Sequence, residues 1–423
     1  MTGAANMRRL ALASVAGTAL EYYDFAVYNT LTALVFNQLF FPSFDPLSGT
    51  MLAFATFAVG YASRPFGGIL FGHLGDRRGR RHVLIITLLM MGATTIAIGL
   101  LPNYATAGVF APVALVTLRF FQGMALGGEW AGAVLLAVEH GADEQRGRNA
   151  SFAQMGPSIG VLAASGVIAL TTWRLTPEQL LDWGWRLPLL GSVVLVAFGL
   201  WLRTGVSETP QFRAVRDSAA QARAPLGEAL RHHWRGLLIA GGSRMGTDVT
   251  YSVISVFVLS YITTVHGMSR TLATTALSIG AAVAAPLIFT AGSLSDRFGR
   301  RAVYGAGVAG ALVWIWLLFP LLDTKSHAAV ILAIVSGLAL HSFMYGPQAA
   351  FIAGQFPTPV RYAGSSLAYT FAGVIAGGIA PLVSAALFRA TGTTIAVAIY
   401  VTAALLVTGF VLLISPGEGG AQR

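Results

Sequence analysis

The amino-acid sequence predicts an all-α integral membrane protein with twelve transmembrane helices in two pseudo-symmetric six-helix bundles. Three observations predict this class: an apolar composition, twelve apolar segments of spanning length, and a ten-residue pattern that occurs once in each half. Of the 423 residues, 55% are hydrophobic and 10% are charged, whereas soluble domains carry about 25% charged residues. A soluble protein this apolar could not cover its surface with charge, so the composition indicates a membrane protein.

Composition also excludes several classes of function. The net charge of +10 would suit a nucleic-acid partner, but Arg-rich cytoplasmic loops explain it better, and we expect no such partner. Cysteine is absent, which excludes disulfides, thiolate catalysis and Cys-based metal sites. No cluster has metal-ligand spacing, and neither a nucleotide-binding loop nor a hydrolase elbow is present. We therefore expect a non-enzymatic protein without metal or cofactor.

Twelve apolar runs are long enough to cross a bilayer, which takes about 20 residues per helix. They must be helices, because an open sheet cannot satisfy its backbone in lipid. The predicted spans are residues 10–40, 50–73, 82–101, 108–138, 149–172, 185–204, 234–265, 270–294, 301–322, 327–354, 361–389 and 392–415. The long polar segment after the sixth span divides the chain into an N-terminal bundle (1–204), a cytoplasmic linker (205–233) and a C-terminal bundle (234–423).

Basic residues divide unevenly between the two sets of breaks. Of 27 basic residues, 19 fall on one predicted face, including six from Arg203 to Arg235, and five fall on the other. This asymmetry predicts a protein of the cell membrane with the linker and both termini in the cytoplasm. Arg8-Arg9 before an apolar run also has the pattern of a signal peptide. Because the run continues beyond Tyr28 and an even number of spans requires it, we expect it to be retained.

An internal repeat links the two halves. Residues 72–81 read GHLGDRRGRR and residues 292–301 read GSLSDRFGRR, so both match G-x-x-x-D-R-x-G-R-R after the second span of a half. A looser pair, DEQRGR at 143–148 and PTPVRYAG at 357–364, precedes the fifth span of each half. Two parallel six-span repeats are typical of a transporter whose binding site lies at their interface.

These patterns resemble the major facilitator superfamily over the whole chain. Finer motifs resemble its metabolite:proton symporter family, whose members carry shikimate, 2-oxoglutarate, citrate or proline/betaine; they are EYYDF, SRPFGG, LRFFQGMALGGEWAG, DWGWRLP and SETPQF. The N-terminal motifs look closest to shikimate-type members, and the resemblance is weaker in the C-terminal half. It implies a monomer that works by alternating access and uses the proton gradient as its energy source.

The resemblance also implies a cytoplasmic gate. In the superfamily the aspartate that matches Asp76 holds the cytoplasmic end closed across the two halves, and a merely topogenic loop would not explain this acid. Gly72, Gly75 and Gly79 would permit a tight turn beside it. The predicted gate residues are Gly72, Asp76, Arg77, Arg80, Arg81, Arg146, Asp296, Arg297, Arg300, Arg301 and Arg361.

Ionisable residues at span depth cost at least a few kcal/mol, so each needs a reason. We predict that Asp24 and Arg119 form the proton-coupling pair, because neither has an opposite charge one turn away in its own helix. An anionic substrate would take Arg119, and the freed Asp24 would gain a proton. A structural ion pair is the alternative. Glu21 and Glu129 are weaker candidates for the proton site, and Glu129 equally fits a structural hydrogen bond between helices.

Substrate contacts are predicted at the remaining polar positions inside the spans. Arg64 and Arg119 could bind an anion, while Arg244 and Asp248 are spaced i, i+4 and can pair with each other. Three arginines at span depth favour an anionic substrate. Packing is the alternative for the aromatic and neutral candidates. The full set is Arg64, Arg119, Gln122, Tyr28, Gln154, Ser158, Arg244, Asp248, Tyr251, His341, Tyr345, Gln348 and Tyr369.

Together these features predict proton-coupled import of a small organic acid, either shikimate-like, aromatic or dicarboxylic. The alternative within transport is a proton symporter for proline or betaine-type osmolytes. A non-transporting sensor or a channel is a further alternative. A sensor would usually carry an extra soluble domain, which we do not expect here, and a channel would not need two matched gate motifs.

Overall fold

The computed structural model describes residues 3–42, 56, 58–218 and 224–416, and these residues contain helices and no β-strand. We label their twelve principal helices in chain order. They are α1 (Gly3–Leu31), α2 (Arg64–Arg78), α3 (Arg80–Leu100), α4 (Phe110–His140), α5 (Arg146–Arg174), α6 (Arg186–Thr204), α7 (Trp234–Ser252), α8 (Arg270–Phe298), α9 (Arg300–Asp323), α10 (His327–Ala353), α11 (Arg361–Ala372) and α12 (Ile395–Ile414).

Ten of these helices, α3 to α12, are long and apolar enough to cross a membrane within the described part of the chain. Two continue through π-helical turns, so the seventh span covers Trp234–Val265 and the eleventh covers Thr358–Thr391. Helix α1 continues through the π-helical turn Thr32–Phe36. The predicted second span begins outside the described residues, as residues 50–55 and 57 are not described. Arg223 and Arg423, which entered the charge count, also lie outside them.

Both copies of the repeated motif continue their helices beyond the predicted spans. We placed Asp76 and Asp296 in loops, but α2 extends to Arg78 and α8 to Phe298, so both acids lie in the last helical turn. The turn itself is made by Gly79 at φ +108° and Gly299 at φ +89°. Only a residue without Cβ adopts such angles easily, which explains why these positions hold glycine.

Gly72 and Gly75 serve contact between helices, which corrects our assignment of them to a turn. A Cβ on Gly75 would lie 2.3 Å from the ring of Tyr362, and one on Gly72 would lie 3.0 Å from Cα of Ala363. Helices α2 and α11 therefore meet closely across the two halves. Helices α5 and α8 form the other seam, where a Cβ on Gly147 would lie 2.6 Å from the carbonyl oxygen of Gly292.

Close packing inside the N-terminal half fixes the helices that carry buried charge. A Cβ on Gly67 would lie 1.8 Å from the carbonyl oxygen of Met124, and one on Gly127 would lie 2.0 Å from that of Arg64. The backbones of α2 and α4 are therefore in direct contact, as small residues allow in membrane helices. This contact explains the glycines of SRPFGG and of GMALGGEWAG.

The linker contains two short helices, Pro210–Asp217 and Pro225–His232. Thr209 caps the first, because its hydroxyl accepts a hydrogen bond from the backbone N–H of Phe212 at 3.2 Å. The buried ring of Phe212 lies 4.8 Å from the guanidinium of Arg80. We call this end of the bundle, where the linker packs and α2 and α8 end, the gate end.

Polarity is arranged as lipid requires. Large apolar side chains such as Phe110, Trp201 and Leu382 are exposed on the outer faces of the helices, whereas Asp24 and Arg119 are buried inside the bundle. Lipid tails cover the first group and the protein covers the second. The buried charges are therefore the features that need a chemical explanation.

Candidate functional site

Asp24 and Arg119 are joined by two neutral side chains. Thr95 Oγ1 donates to Asp24 Oδ2 at 2.6 Å, and Gln122 Nε2 donates to Thr95 Oγ1 at 2.6 Å. Arg119 in turn donates to Gln122 Oε1. All four side chains are buried, and they lie on α1, α3 and α4. We call this chain of hydrogen bonds the relay; it brings the predicted pair together through Thr95, which the sequence analysis missed.

At the two ends of the relay, one carboxylate oxygen of Asp24 has no donor and the guanidinium of Arg119 packs on an aromatic ring. Asp24 Oδ1 is buried and has no hydrogen-bond partner among the described residues. The guanidinium of Arg119 lies 3.7 Å from the ring centroid of Tyr28, whose hydroxyl is hydrogen-bonded to Thr56. A carboxylate oxygen without a donor is a place where a proton can bind. Tyr28 is fully buried, and its ring packs against the guanidinium of Arg119.

Glu21 and Arg64 lie beside the relay. Glu21 is 5% exposed, and its Oε2 has no hydrogen-bond partner in the described part of the chain. Arg64 stacks on the rings of Tyr61 at 4.0 Å and Phe25 at 5.2 Å. Phe25 follows Glu21 by one helical turn, so Arg64 lies over the face of α1 that carries Glu21.

Glu129 has a geometry that suits the structural alternative. It forms a buried ion pair with Arg203, and Thr87 Oγ1 donates to its Oε2 at 2.8 Å. Arg203 also donates to the carbonyl oxygen of Leu84 at 2.6 Å. Arg203, which the charge count places on the cytoplasmic face, lies in the last turn of α6 within the predicted sixth span, and it is 2% exposed.

A cavity lies between the two halves, and the empty space within it and its open mouth is about 760 Å³. Seven of the predicted substrate contacts line it, and Tyr22, which we did not predict, joins them. Apolar residues from α8 and α10 form part of the wall. Its polar and aromatic lining includes Tyr22, Ser158, Arg244, Asp248, Tyr251, His341, Tyr345 and Tyr369. A concave site of this kind at the interface of two repeats is where a transporter binds its substrate.

Arg244 and Asp248 form the charged part of this wall. Arg244 donates to Asp248 Oδ2 from Nε at 2.9 Å and from Nη2 at 2.6 Å, as the i, i+4 spacing predicts. The guanidinium also lies 3.4 Å from the ring centroid of Tyr369. Its Nη1 is buried without a hydrogen-bond partner among the described residues. One donor of this guanidinium is therefore without an acceptor in the described part of the chain.

Aromatic rings surround this charged pair. The ring of His341 lies 5.2 Å from that of Tyr251 and 5.2 Å from that of Tyr345. Leu277 and Leu338 contribute apolar surface on the other side. A small molecule with a flat or apolar body and one anionic group fits such a wall.

The other predicted contacts do not line the cavity. Gln154 accepts from Trp130 Nε1 at 2.8 Å and donates to the carbonyl oxygen of Tyr345 at 3.1 Å. Gln348 donates to the hydroxyl of Tyr304 at 2.7 Å. Both glutamines are fully buried behind the wall. The remaining candidates outside the lining are Tyr28, Arg64, Arg119 and Gln122.

At the gate end, Asp76 reaches into the other half. Its Oδ1 accepts from the backbone N–H of Tyr362 at 3.2 Å, and its Oδ2 accepts from that of Ala363 at 2.8 Å. These groups belong to the first turn of α11, where the helix dipole favours a negative charge. Arg80 lies 3.3 Å from Asp76 and neutralises it.

Asp296 repeats this arrangement in the opposite direction. Its Oδ1 accepts from the backbone N–H of Gly147 at 2.6 Å, and its Oδ2 accepts from that of Arg148 at 2.8 Å. These donors lie in the first turn of α5. Each repeated aspartate therefore binds the start of a helix in the other half, an arrangement that suits a gate.

Glu139 joins the gate residues and was not predicted to do so. It is buried and lies 3.4 Å from Arg80 and 3.3 Å from Arg361. The hydroxyl of Thr209 in the linker donates to it at 2.6 Å. Glu208, also in the linker, accepts from the backbone N–H of Arg80 at 3.1 Å. The linker and both halves thus meet at one cluster.

The other predicted gate residues, all arginines, do not share one contact. Arg81 donates to the carbonyl oxygen of Thr204 at 2.7 Å, and Arg301 donates to that of Ser415. Arg77 and Arg297 have exposed side chains, and Arg146 and Arg300 begin α5 and α9.

Sequence signals existed for some of the missed residues. Glu139 and Arg203 are charges at the ends of apolar runs, so burial was an alternative to an interfacial position. Tyr22 lies inside the quoted motif EYYDF, and Trp130 lies inside GMALGGEWAG. Thr95 has no such signal, because a hydroxyl that bonds to its own helix backbone is common in membrane spans.

Comparison with known families gives the same fold. The model described as Sugar (and other) transporter matches residues 10–233, and the Major Facilitator Superfamily model matches residues 242–422. The chain belongs to the major facilitator superfamily. This confirms the resemblance and the all-α membrane fold that the sequence predicts, and it assigns the protein to a family of transporters that are not enzymes.

The names of relatives within the superfamily give several different substrates. The chain is 39% identical to the shikimate transporter of Escherichia coli (strain K12), over 96% of this chain and 94% of that protein. It is 37% identical to the inner membrane metabolite transport protein YhjE of the same organism, with 96% and 93% covered. It is 33% identical to the glycine betaine/proline/ectoine/pipecolic acid transporter OusA of Dickeya dadantii (strain 3937), with 90% and 77% covered.

A solved structure shows how far the fold is shared. The proton:xylose symporter XylE bound to 6-bromo-6-deoxy-D-glucose has a TM-score of 0.83 at 17% sequence identity, with 99% of this chain and 98% of that chain covered. The likeness at this identity establishes the architecture. The family models and the curated relatives identify the protein as a multi-pass membrane transporter.

Proposed function

We propose that the protein imports a small organic acid together with protons across the cell membrane, as a monomer, with its gate end and both termini in the cytoplasm. The observation that carries this proposal is the charged pair of Arg244 and Asp248 on the wall of the cavity between the halves. Arg244 Nη1 has no hydrogen-bond partner among the described residues. A substrate carboxylate would accept from Nη1, and a charge-assisted bond of this kind is strong. The organic body of the substrate would lie against Tyr251, Tyr345 and Tyr369.

The relay supports proton coupling. Asp24 would bind a proton at Oδ1, which removes the charge that the hydroxyl of Thr95 stabilises. The hydrogen bonds of Gln122 and Arg119 would then rearrange, because each donates to the next member toward Asp24. Glu21 is a second candidate for a proton, since its buried Oε2 also lacks a donor.

Alternating access would use the gate end. Asp76 and Asp296 each hold a helix of the opposite half, so the cavity is closed toward this end in the arrangement described. Release of substrate into the cytoplasm would require both carboxylates to leave their helix N-termini.

Import of a betaine-type zwitterion is the second candidate function. It is favoured by the presence of both charges in the cavity, because Arg244 could hold a carboxylate while Asp248 and the tyrosine rings attract a quaternary ammonium group. Aromatic cages of this kind bind such cations. The relative OusA is named as a transporter of glycine betaine, proline, ectoine and pipecolic acid.

Uptake into proteoliposomes under an imposed pH gradient tests the proposal. Labelled shikimate, benzoate, 2-oxoglutarate, citrate and glycine betaine would be compared. We expect concentrative uptake of an organic acid that a protonophore abolishes. Concentrative uptake that survives the protonophore would contradict proton coupling, and uptake of glycine betaine alone would favour the second candidate.

A further inference from the structure

Residues of the C-terminal half that line the cavity pack against residues of the N-terminal half. Trp130 of α4 stacks on Tyr369 of α11 with ring centroids 3.7 Å apart and planes 14° apart. The guanidinium of Arg244 lies 3.4 Å from the centroid of the same Tyr369 ring. Two groups this close to one centroid cannot share a face of the ring, so Tyr369 lies between Trp130 and Arg244.

Gln154 of α5 makes the second connection between the halves at this level. It accepts from Trp130 Nε1 and donates to the backbone carbonyl of Tyr345 on α10. Tyr345 and Tyr369 line the cavity, whereas Trp130 and Gln154 do not. We call these four residues the brace. Two N-terminal side chains thus contact the ring of Tyr369 and the backbone of Tyr345, two C-terminal residues that line the cavity.

The brace lies between the cavity and the gate end. Gln154 follows the start of α5 at Arg146 by eight residues, Tyr369 follows the start of α11 at Arg361 by eight, and Tyr345 precedes the end of α10 at Ala353 by eight. At 1.5 Å per residue the brace is about 12 Å inside the gate end. The Asp76 and Asp296 contacts form the layer outside it.

We infer that the brace is a second, inner gate that closes the cavity directly beneath the substrate, and that Trp130 and Gln154 are positioning residues acting through Tyr369 and Tyr345. This inference rests on the proposed function, because only a transporter needs its cavity to open at this end. Arg244 belongs to both the stack and the cavity wall. A carboxylate bound at Nη1 therefore acts on the group that packs against Tyr369, which couples occupancy of the cavity to the contact between the halves.

Accessibility to a thiol reagent can measure this gate, because the chain has no cysteine of its own. Ala281→Cys places one thiol in the cavity wall, at a position with no proposed role in binding. Ser218→Cys in the exposed linker marks the gate end. The rate of labelling by a membrane-impermeant maleimide would be measured in vesicles whose Ser218→Cys marker reacts from outside. No substrate is added, so the result does not depend on which compound is carried.

We expect Trp130→Ala to increase the labelling rate of Ala281→Cys about fivefold or more, since a stacked pair and a hydrogen bond are each worth of the order of that factor. Gln154→Leu removes both hydrogen bonds at similar volume and should give a smaller increase. Trp314→Ala is the matched control, because Trp314 is equally buried but donates to Ser336 within one half.

Transport assays separate this inference from the proposed function. Trp130→Ala should lower the maximal rate of uptake more than it changes the substrate KM. Trp130→Phe keeps a ring on Tyr369 and should partly restore slow labelling and the maximal rate. Equal labelling rates in the parent, Trp130→Ala and Gln154→Leu would overturn the inner gate. A failure of organic-acid uptake would leave the labelling result unchanged and would count only against the proposed function.

Discussion

The two halves share one helical plan, but they use their buried charges differently. In the N-terminal half, Asp24 and Arg119 are joined by the relay, and Glu129 is paired with Arg203 inside the protein. In the C-terminal half, the pair formed by Arg244 and Asp248 lines the cavity. None of the charged side chains that line the cavity in the described structure comes from the N-terminal half.

This difference indicates a division of labour. A charge that only meets other protein groups can report or store a proton, whereas a charge on a cavity wall can bind a ligand. The N-terminal half would then carry the coupling reaction and the C-terminal half would carry substrate recognition. The brace and the gate residues connect the two. Substitutions that affect one property and not the other sharpen this comparison.

The largest effect is expected on stability, at the pair of Glu129 and Arg203. Glu129→Gln leaves a buried guanidinium without its counter-charge, and breaking one side of such a pair costs about 3–5 kcal/mol. Thermal unfolding of the purified protein in detergent would show this loss, with substrate KM unchanged. Asp217→Asn in the exposed pair with Arg216 is the control and should change stability by less than about 1 kcal/mol. A shift in KM at wild-type stability would place Glu129 in substrate binding and break the comparison.

Arg244→Gln should give the largest effect on transport. It removes the charged group on the cavity wall, and truncating one partner of a buried charged contact costs about 2–5 kcal/mol, which lowers affinity by at least about 30-fold. Binding of the transported acid and its counterflow in proteoliposomes would both fall. Arg174→Gln provides the control, because Arg174 is exposed beside Trp173 outside the cavity. Wild-type affinity in Arg244→Gln would move recognition away from this wall.

Asp76→Asn should give a smaller effect, confined to turnover. Loss of the carboxylate weakens two bonds to the first turn of α11, and we expect uptake to fall about tenfold with substrate affinity retained. Asp296→Asn should act in the same direction at the matching contact with α5. Uptake rates at equal surface amounts would be compared with equilibrium binding, with Asp217→Asn as the control. Uptake equal to wild type in Asp76→Asn would contradict the gate assignment.

Thr95→Val should give the smallest effect. The substitution keeps the shape of the side chain but removes the hydroxyl that joins Asp24 to Gln122, and we expect gradient-driven uptake to fall about fivefold. Thr94→Val is a matched control one position away, since the Thr94 hydroxyl donates to backbone carbonyls of its own helix. If both variants behave alike, the relay has no role in coupling.

Much of the fold could be predicted because its signals are local or repeated. Apolar run length gives the spans, and the two copies of G-x-x-x-D-R-x-G-R-R place Asp76 and Asp296 at matching positions. The i, i+4 spacing of Arg244 and Asp248 fixes their pairing within one helix. These features do not depend on how helices from different halves are rotated.

The rest depends on those rotations. The packing of α5 on α4 decides whether Gln154 faces the cavity or Trp130. The i, i+4 spacing of Gln154 and Ser158 predicts that both face the cavity, but only Ser158 does. Thr95 matters only because α1, α3 and α4 bring its hydroxyl between Asp24 and Gln122. Arg203 counts as a basic residue of the cytoplasmic face, because its burial at the end of α6 leaves no mark in the sequence. Contacts between helices far apart in sequence decide each of these cases.

Counterflow and gradient-driven uptake, measured in the same proteoliposomes for Asp24→Asn and Arg244→Gln, test the division of labour most directly. A neutral side chain at position 24 cannot bind and release the proton, so Asp24→Asn should retain counterflow of the transported acid and lose its concentrative uptake. Arg244→Gln should lose both. Loss of counterflow in Asp24→Asn at wild-type stability, or concentrative uptake that persists in it, would contradict the account.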